Sequence, residues 1–417
     1  AQNVQETGGP DGYIRGNADR GPVDFISTLT GALVIKDGNG SRLYDVDLQT
    51  NAQNRIFASY RPALDKDHIL PYNHLPFEAL LITPFMNLPY PIVFALWTLI
   101  CGIAIGMSLG LLDGALPVAR PVGWVLSMAA CAYMPLIRGL MQGQNSPLIL
   151  LGLCGVYVAL KRGQPEWAGA ALVLLALKPQ VLPVILLLLV LQKQWKTLAV
   201  FTGILTGLSV LAMPFLGFDW PLKYAQLLIG VAGWGNTGAI DPSIMHNWRG
   251  FLTNLLGPNS GLVSPLFAIL SLATALMVAY VWWRTSVKKQ EMGSRSTEYA
   301  VAQSDEEYNP NFDLVWALAG FAAVLTALHL NPHDLTLLVF PAWIIGAYAT
   351  SGLWSRRLSL VWVVLLWVGW AFAPLTLTNA QGIVVPSVLL MAVACGLISW
   401  QLVGRAPASS ARQAVPI

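Results

Sequence analysis

Asp24 is the first residue whose type and position suggest chemistry. It opens the stretch "FISTLTGALVIKDG", for which we predict an amphipathic helix that lies on a membrane surface. A carboxylate at such an interface, backed by apolar residues, has a raised pKa and can act as a general base. The other interpretation is a helix N-cap, because Asp is common there and accepts backbone N–H bonds. The residues alone leave both open.

Cations and histidines later in the chain are candidates for binding an anion. Lys178 lies between two short apolar stretches, where an ammonium is costly unless it meets an anion or reaches the interface. Arg249 has the planar fork that suits a phosphate. His333 and Asp334 begin a helix, whose positive end favours an anion, and Asp334 is suited to cap it. Arg138 is the fourth candidate for phosphate binding.

Polar residues in four further motifs are candidates for substrate contacts: Tyr72, His74, Gln144, Asn145, Asn247 and His329. Three of them also have a structural interpretation. The two amides suit the backbone of a tight turn, and His74 suits an interfacial histidine that is hydrogen-bonded within the protein.

A metal site is not predicted. "LYDVD" contains the Asp-x-Asp spacing that many nucleotide-sugar enzymes use for a divalent metal, but this spacing in a polar loop is more often a turn. His329 and His333 are four residues apart, and Pro332 between them argues against one continuous helical face.

The elements that must position these residues are membrane helices. The 417 residues are 55% hydrophobic and 11% charged, whereas soluble domains carry roughly 25% charge. Runs of roughly 20 apolar residues recur, and helices are the spans that such runs favour. We therefore predict an all-α, polytopic transmembrane protein with about 11 spans. They lie near residues 90–112, 122–141, 146–161, 166–178, 180–192, 197–216, 262–284, 312–330, 333–351, 357–376 and 383–403.

Two of these spans, 166–178 and 180–192, are short and flank "KPQ", which suggests half-spans or a re-entrant pair. The net charge of +3 and the scattered basic residues do not suggest nucleic acid as a partner.

Charge bias predicts the topology. Lys and Arg of the short loops fall on one side, which we assign to the cytoplasm, whereas the candidate residues fall on the other. Arg138 goes against this bias, which marks it as a functional candidate. We predict an extracytoplasmic segment 1–76 with the amphipathic helix, and one transmembrane domain 77–403 with an external loop 217–260 and a cytoplasmic loop 285–311. A cytoplasmic tail 404–417 follows, and an external start implies a further helix upstream of the numbered chain.

Several motifs occur in an order that resembles the GT-C superfamily of polyprenyl-phosphate-sugar glycosyltransferases, and more narrowly glycosyltransferase family 87, which includes mycobacterial mannosyltransferases. They are "VDFISTLTGALVIKDGNGSRLYD", "LPYNHLPFEALLITPFMNLP", "GQNSPLILLGL", "LALKPQ", "HNWRG" and "NPHDLTLLVFP". The resemblance runs from about residue 21 to about residue 345. One departure is "PYNHLPFE", where Asn73 and His74 replace a compact Tyr-x-x-Pro-Pro, so acceptor contacts are expected to differ.

The resemblance implies an inverting transfer on the extracytoplasmic face of the cell membrane, with Asp24 as the base and with Lys178 and His333 near the donor phosphate. The implied partners are a polyprenyl-phosphate sugar donor, a lipid or glycan acceptor and membrane lipids. The first sugar to consider is mannose and the next is arabinofuranose. The resemblance implies no metal or other cofactor.

Two rival functions stay open at this point. One is a lipid or glycan flippase or transporter that uses the cations to hold headgroups, although no internal repeat of the kind that transporters often show is visible. The other is a non-catalytic subunit of a membrane complex that retains only the fold.

Overall fold

The computed structural model describes residues 24–58, 69–116, 118–231, 241–295, 310–378 and 381–404. Within these ranges the chain forms α-helices and short 3₁₀ segments, with no strand. The α-helices are α1 (Phe25–Lys36), α2 (Val46–Phe57), α3 (Pro76–Ile82), α4 (Tyr90–Asp113), α5 (Arg120–Cys131), α6 (Met134–Gln142), α7 (Ser146–Lys161), α8 (Pro165–Leu175), α9 (Leu182–Leu191), α10 (Trp195–Leu216), α11 (Trp220–Val231), α12 (Trp248–Leu256), α13 (Val263–Arg295), α14 (Pro310–Thr326), α15 (Val339–Thr350), α16 (Arg356–Phe372) and α17 (Val384–Gly404). The 3₁₀ segments that matter for the site are Pro179–Val181 and Pro332–Leu338.

Five helices in the described part of the chain are long and apolar enough to cross a membrane: α4, α10, α13, α16 and α17. A sixth span is counted when α5 and α6, which are bent by 51° at their junction, are taken together. The structure thus shows a multi-pass membrane protein but does not confirm the predicted number of about 11 spans. Helices occupy every predicted range, but α8 has 11 residues and α9 has 10. At 1.5 Å per residue each is about half the length that a roughly 30 Å hydrocarbon core requires.

The long helices enclose a buried centre. Only 11% of the apolar window of α10, and of α16, is buried, so most of their apolar side chains face outwards, as lipid contact requires. In α14, by contrast, every residue from Asp313 to Leu325 is buried. The predicted half-spans α8 and α9 leave a break at Lys178 between them. Helix α8 packs on α7 and α10, and α9 packs on the buried α14.

Helix α1 is not the surface helix that the sequence analysis predicted. All residues from Phe25 to Ile35 are buried, and the ring of Phe25 stacks on Trp97 with centroids 5.7 Å apart. The polar residues are accommodated because their hydroxyls have internal acceptors: Ser27 Oγ donates to the Pro71 carbonyl at 3.0 Å, and Thr30 Oγ1 to that of Ile26 at 2.7 Å. The amphipathic helix of this segment is α2, which follows.

The two ends of α7 carry different polar clusters. At its C-terminal end the buried Asp313 carboxylate is paired with Lys161 Nζ at 2.7 Å. Tyr157 and Tyr348 each donate a hydroxyl to the same carboxylate at 2.7 Å. This cluster joins α7, α14 and α15, and its charges are fully paired, as burial demands. The candidate site lies at the other end of α7.

Candidate functional site

The site is built on a tight turn between α6 and α7. Helix α6 ends at Gly143, whose φ of +66° is a left-handed conformation that favours glycine. A side chain there would also collide with Phe25, because an added Cβ would lie 2.6 Å from the Phe25 Cβ. The close approach brings the N-terminus of α1 against the buried residues 144–146.

The side chains of residues 144–146 each donate a hydrogen bond to a carboxylate from a different element. Gln144 Nε2 donates to Asp24 Oδ2 at 2.5 Å, Asn145 Nδ2 donates to Glu78 Oε1, and Ser146 Oγ donates to Asp334 Oδ1 at 2.8 Å. One turn therefore organises three acidic groups that lie far apart in the sequence.

Asp24 occupies the N-cap position of α1, but its side chain makes no capping hydrogen bond. Its carboxylate instead faces the turn and lies 3.7 Å from His333 Nδ1, with 25% of the side chain exposed. Burial raises the pKa of Asp24 above its usual range, although the Gln144 hydrogen bond and the charges of Lys178 and Arg138 oppose the rise. A partly accessible carboxylate with a raised pKa is suited to accepting a proton.

Lys178 is buried, with 5% exposure, so it does not reach the interface by snorkelling. It forms an ion pair with Asp334 Oδ1 and donates to Ser146 Oγ at 3.1 Å and to Gln144 Oε1 at 3.3 Å. The anion that meets this ammonium is therefore a carboxylate of the protein. Gln144 is hydrogen-bonded to both Lys178 and Asp24, so a single side chain links the ammonium to the Asp24 carboxylate.

Asp334 and His333 lie side by side in the segment Pro332–Leu338. Asp334 Oδ2 accepts from the Asn331 N–H at 3.0 Å and so caps the segment, as the sequence suggested. Burial favours the neutral acid, but the charge of Lys178 and the hydrogen bonds from Lys178 and Ser146 outweigh it and lower the pKa of Asp334 below its usual range.

His333 is a neutral hydrogen-bonding group and not a cation. Burial, which is the largest effect, lowers its pKa to about 3, and the charge of Lys178 acts in the same direction. Its Nδ1 lies 3.1 Å from Gln142 Oε1, and its Nε2 lies 3.6 Å from Asp334 Oδ1. At neutral pH this ring can donate to or accept from a substrate oxygen, but it adds no charge.

Two cationic candidates lie near this centre. Arg138 on α6 is close enough that its charge opposes the raised pKa of Asp24. Burial lowers the pKa of His246, and the charge of Arg138 adds to that effect. Arg249 lies further out, where its Nη1 is 3.4 Å from the Leu328 carbonyl. Arg138 thus belongs to the Asp24 cluster, whereas Arg249 lies beside the loop that leads to His329.

Two predicted substrate contacts are engaged within the protein. Asn247 is fully buried, caps α12 by accepting from the Gly250 N–H at 2.9 Å, and donates to the Ala327 carbonyl at 2.7 Å. Tyr72 is also fully buried, and its hydroxyl donates to the Leu75 carbonyl. Both side chains serve the fold in this structure.

Two of the remaining predicted contacts form a second group around a carboxylate. His74 Nδ1 lies 3.0 Å from Glu78 Oε2, and Glu78 is bonded in turn to Asn145. His329 is not joined to this group by a described contact; burial is the main cause that lowers its pKa to about 4, and the charges of Lys178 and Arg249 act in the same direction.

Three residues of the site were not predicted from the sequence: Gln142, Ser146 and Glu78. Ser146 and Gln142 flank the predicted amides, and nothing in their types distinguishes them from helix-end residues. Glu78 carried a usable signal, since it follows His74 by four residues and so shares one helical face with it. No group of three His, Cys, Asp or Glu side chains that could hold a metal ion occurs among the residues with a described position.

The comparisons with known proteins identify a family. The sequence profile of glycosyltransferase family 87 matches residues 72–303, which is more than half of the chain and includes the turn and Lys178. Asp24, His333 and Asp334 lie outside the matched range. The chain is also 25% identical over 336 residues to the polyprenol-phosphate-mannose-dependent alpha-(1-2)-phosphatidylinositol pentamannoside mannosyltransferase of Mycobacterium tuberculosis (strain CDC 1551 / Oshkosh), an alignment that covers 78% of this chain and 68% of the relative. No solved structure matches.

Proposed function

Because this chain belongs to glycosyltransferase family 87 and is a glycosyltransferase, we propose that it transfers mannose from a polyprenyl-phosphate donor to a lipid or glycan acceptor. The mycobacterial relative depends on polyprenol-phosphate-mannose, which favours mannose over arabinofuranose as the sugar. The proposed reaction inverts the anomeric carbon and takes place on the extracytoplasmic face of the membrane.

Asp24 is the proposed general base. Its carboxylate takes the proton of the acceptor hydroxyl as the oxygen attacks the anomeric carbon, and the bond from that carbon to the phosphate oxygen breaks. The observation that carries this assignment is the link from Asp24 through Gln144 to Lys178, which puts a proton acceptor and a cation at one turn. The raised pKa of Asp24 makes it a stronger base than an exposed aspartate.

The leaving polyprenyl phosphate gains negative charge, so cations near it lower the barrier. Lys178 and Arg138 are the proposed phosphate-binding cations, with Arg249 nearer the rim. His333 is a neutral donor whose Nδ1–H would move from Gln142 Oε1 to the same phosphate. Lys178 would exchange part of its contact with Asp334 for the phosphate. Asp334 then keeps its Ser146 and Asn331 hydrogen bonds, which hold it in place.

The experiment measures transfer of radiolabelled mannose from polyprenyl-phosphate mannose to a membrane lipid extract, with EDTA present. Purified wild type is compared with Asp24→Asn and with Asp219→Asn, a control that alters an exposed aspartate paired with Lys223. We expect wild type and the control to transfer mannose, and Asp24→Asn to lose about 100- to 10,000-fold in rate, the usual contribution of a general base.

Full activity of Asp24→Asn would overturn the assignment of the base. The proposed transfer needs no metal ion. That part of the proposal is wrong if wild type loses transfer in EDTA and regains it when Mg²⁺ or Mn²⁺ is added. If wild type transfers none of the donor sugars tried, the flippase or the non-catalytic subunit becomes the better account.

A further inference from the structure

A third carboxylate, Glu78, lies beside the site and takes no part in the proposed transfer. It is 3% exposed, accepts from Asn145 through Oε1, and lies 3.0 Å from His74 Nδ1 through Oε2. A carboxylate in this position keeps the imidazole proton on Nδ1 and leaves Nε2 as an acceptor. The His74 ring is 24% exposed, so this acceptor is on the accessible side of the pair.

One further polar atom of this group lacks a hydrogen-bond partner among the described residues. It is Asn145 Oδ1, on a side chain that is 2% exposed. Buried polar atoms in folded proteins are nearly all hydrogen-bonded, so unpartnered ones beside a site indicate groups that a ligand engages.

We propose that His74 and Asn145 form a subsite for the hydroxyls of a sugar, with Glu78 as the positioning residue that orients both side chains. This inference rests on the proposed function, because the subsite is located by Asn145, whose chain neighbour Gln144 is hydrogen-bonded to the proposed base Asp24.

The chemistry of the group fits a sugar hydroxyl better than a phosphate. Asn145 Oδ1 and His74 Nε2 are both acceptors, so each suits a hydroxyl donor. Glu78 would repel a phosphate, and the buried cation Lys178 is paired with Asp334 and not with this group. The sugar is either the one transferred or one already on the acceptor.

The experiment compares the affinities of lipids with and without a sugar, measured by ligand-induced stabilisation of the purified protein. The donor arm uses polyprenyl-phosphate mannose against polyprenyl phosphate, and the acceptor arm uses phosphatidylinositol mannoside against phosphatidylinositol. Wild type is expected to prefer the mannosylated lipid by about 10-fold in one arm, as expected for one or two net hydrogen bonds.

Three variants locate the preference. His74→Ala removes the acceptor, and Glu78→Gln keeps an acceptor for Asn145 but presents an amide N–H to His74 Nδ1 and so moves the ring proton to Nε2. In both variants we expect the ratio of the affinities for the mannosylated and the sugar-free lipid to fall close to one. The affinity for the sugar-free lipid should stay as in wild type. Glu166→Gln is the matched control, since this exposed glutamate is paired with Lys196 outside the site, and it should keep the full preference. If His74→Ala does not fold, His74→Phe serves the same purpose, because it keeps a planar ring at this partly exposed position without a hydrogen-bond acceptor.

Loss of preference in the donor arm assigns the subsite to the transferred sugar, and loss in the acceptor arm assigns it to the acceptor. Unchanged preferences in both arms, or no preference in wild type, would overturn the subsite. A purely structural Glu78 would lower kcat and the unfolding midpoint and leave the preference intact. The proposed function fails separately, by full transfer in Asp24→Asn, and that result leaves the comparison of preferences in place.

Discussion

Replacement of Lys178 and Asp334, singly and together, separates a structural ion pair from a phosphate-binding cation. Both side chains are at most 5% exposed. Lys178→Met leaves the Asp334 carboxylate buried with only its Ser146 and Asn331 donors, and Asp334→Asn leaves a buried ammonium without its counter-charge. Breaking a buried pair in this way costs about 3–5 kcal/mol, whereas removing both partners is often close to neutral.

The stability prediction is therefore that each single variant unfolds at a lower temperature than wild type, and that the double variant Lys178→Met/Asp334→Asn recovers most of the loss. Transfer should behave differently. A charged hydrogen bond to a phosphate contributes about 1.5–3 kcal/mol, so loss of Lys178 lowers kcat/KM by roughly 10- to 150-fold in the single and the double variant alike.

The assay pairs thermal unfolding in detergent with mannose transfer per folded protein, and Lys196→Met, which removes an exposed lysine paired with Glu166, is the control. A double variant that regains both stability and transfer would refute the reasoning, because Lys178 would then serve only to neutralise Asp334.

Two further predictions test the base and the turn. Because Asp24 acts only when deprotonated and its pKa is raised, transfer should fall as pH drops through that raised pKa, and Gln144→Leu should move the fall to higher pH by removing a bond that favours the carboxylate. The measurement is kcat/KM against pH for wild type, for Gln144→Leu and for the exposed control Gln164→Leu. A profile of Gln144→Leu that is not shifted would contradict the predicted effect on Asp24. Gly143→Ala should lose both stability and transfer, because it combines left-handed backbone strain with a collision against Phe25. Gly163 has the same φ of +66° with open space around it, so Gly163→Ala should lose only about 1 kcal/mol of stability. Equal losses for the two variants in the unfolding and transfer assays would contradict the role of the turn.

The sequence was enough to predict the membrane class and most of the helix positions. The hydropathy of an apolar run depends only on its own residues. It predicted the bounds of α4 to within one residue. The break at "KPQ" was visible for the same reason, since Lys and Pro interrupt an apolar run. The number of spans was not predictable in this way, because hydropathy does not distinguish a lipid-facing helix from a shorter one buried in the protein, such as α14.

The functional groups were identified by type, but their partners depend on tertiary structure. Gln144 is 120 residues from Asp24, and Lys178 is 156 residues from Asp334. No local pattern specifies such pairs, which is why Lys178 was compatible with snorkelling until its carboxylate partner was visible. Burial is also a property of the whole fold. It keeps the His333 ring neutral, and it makes α1 an internal helix although α1 contains polar residues. The sequence thus determined which chemical groups this protein carries and that they lie in a membrane protein, whereas the packing of distant segments around residues 144–146 decided which of them meet and in what charge state.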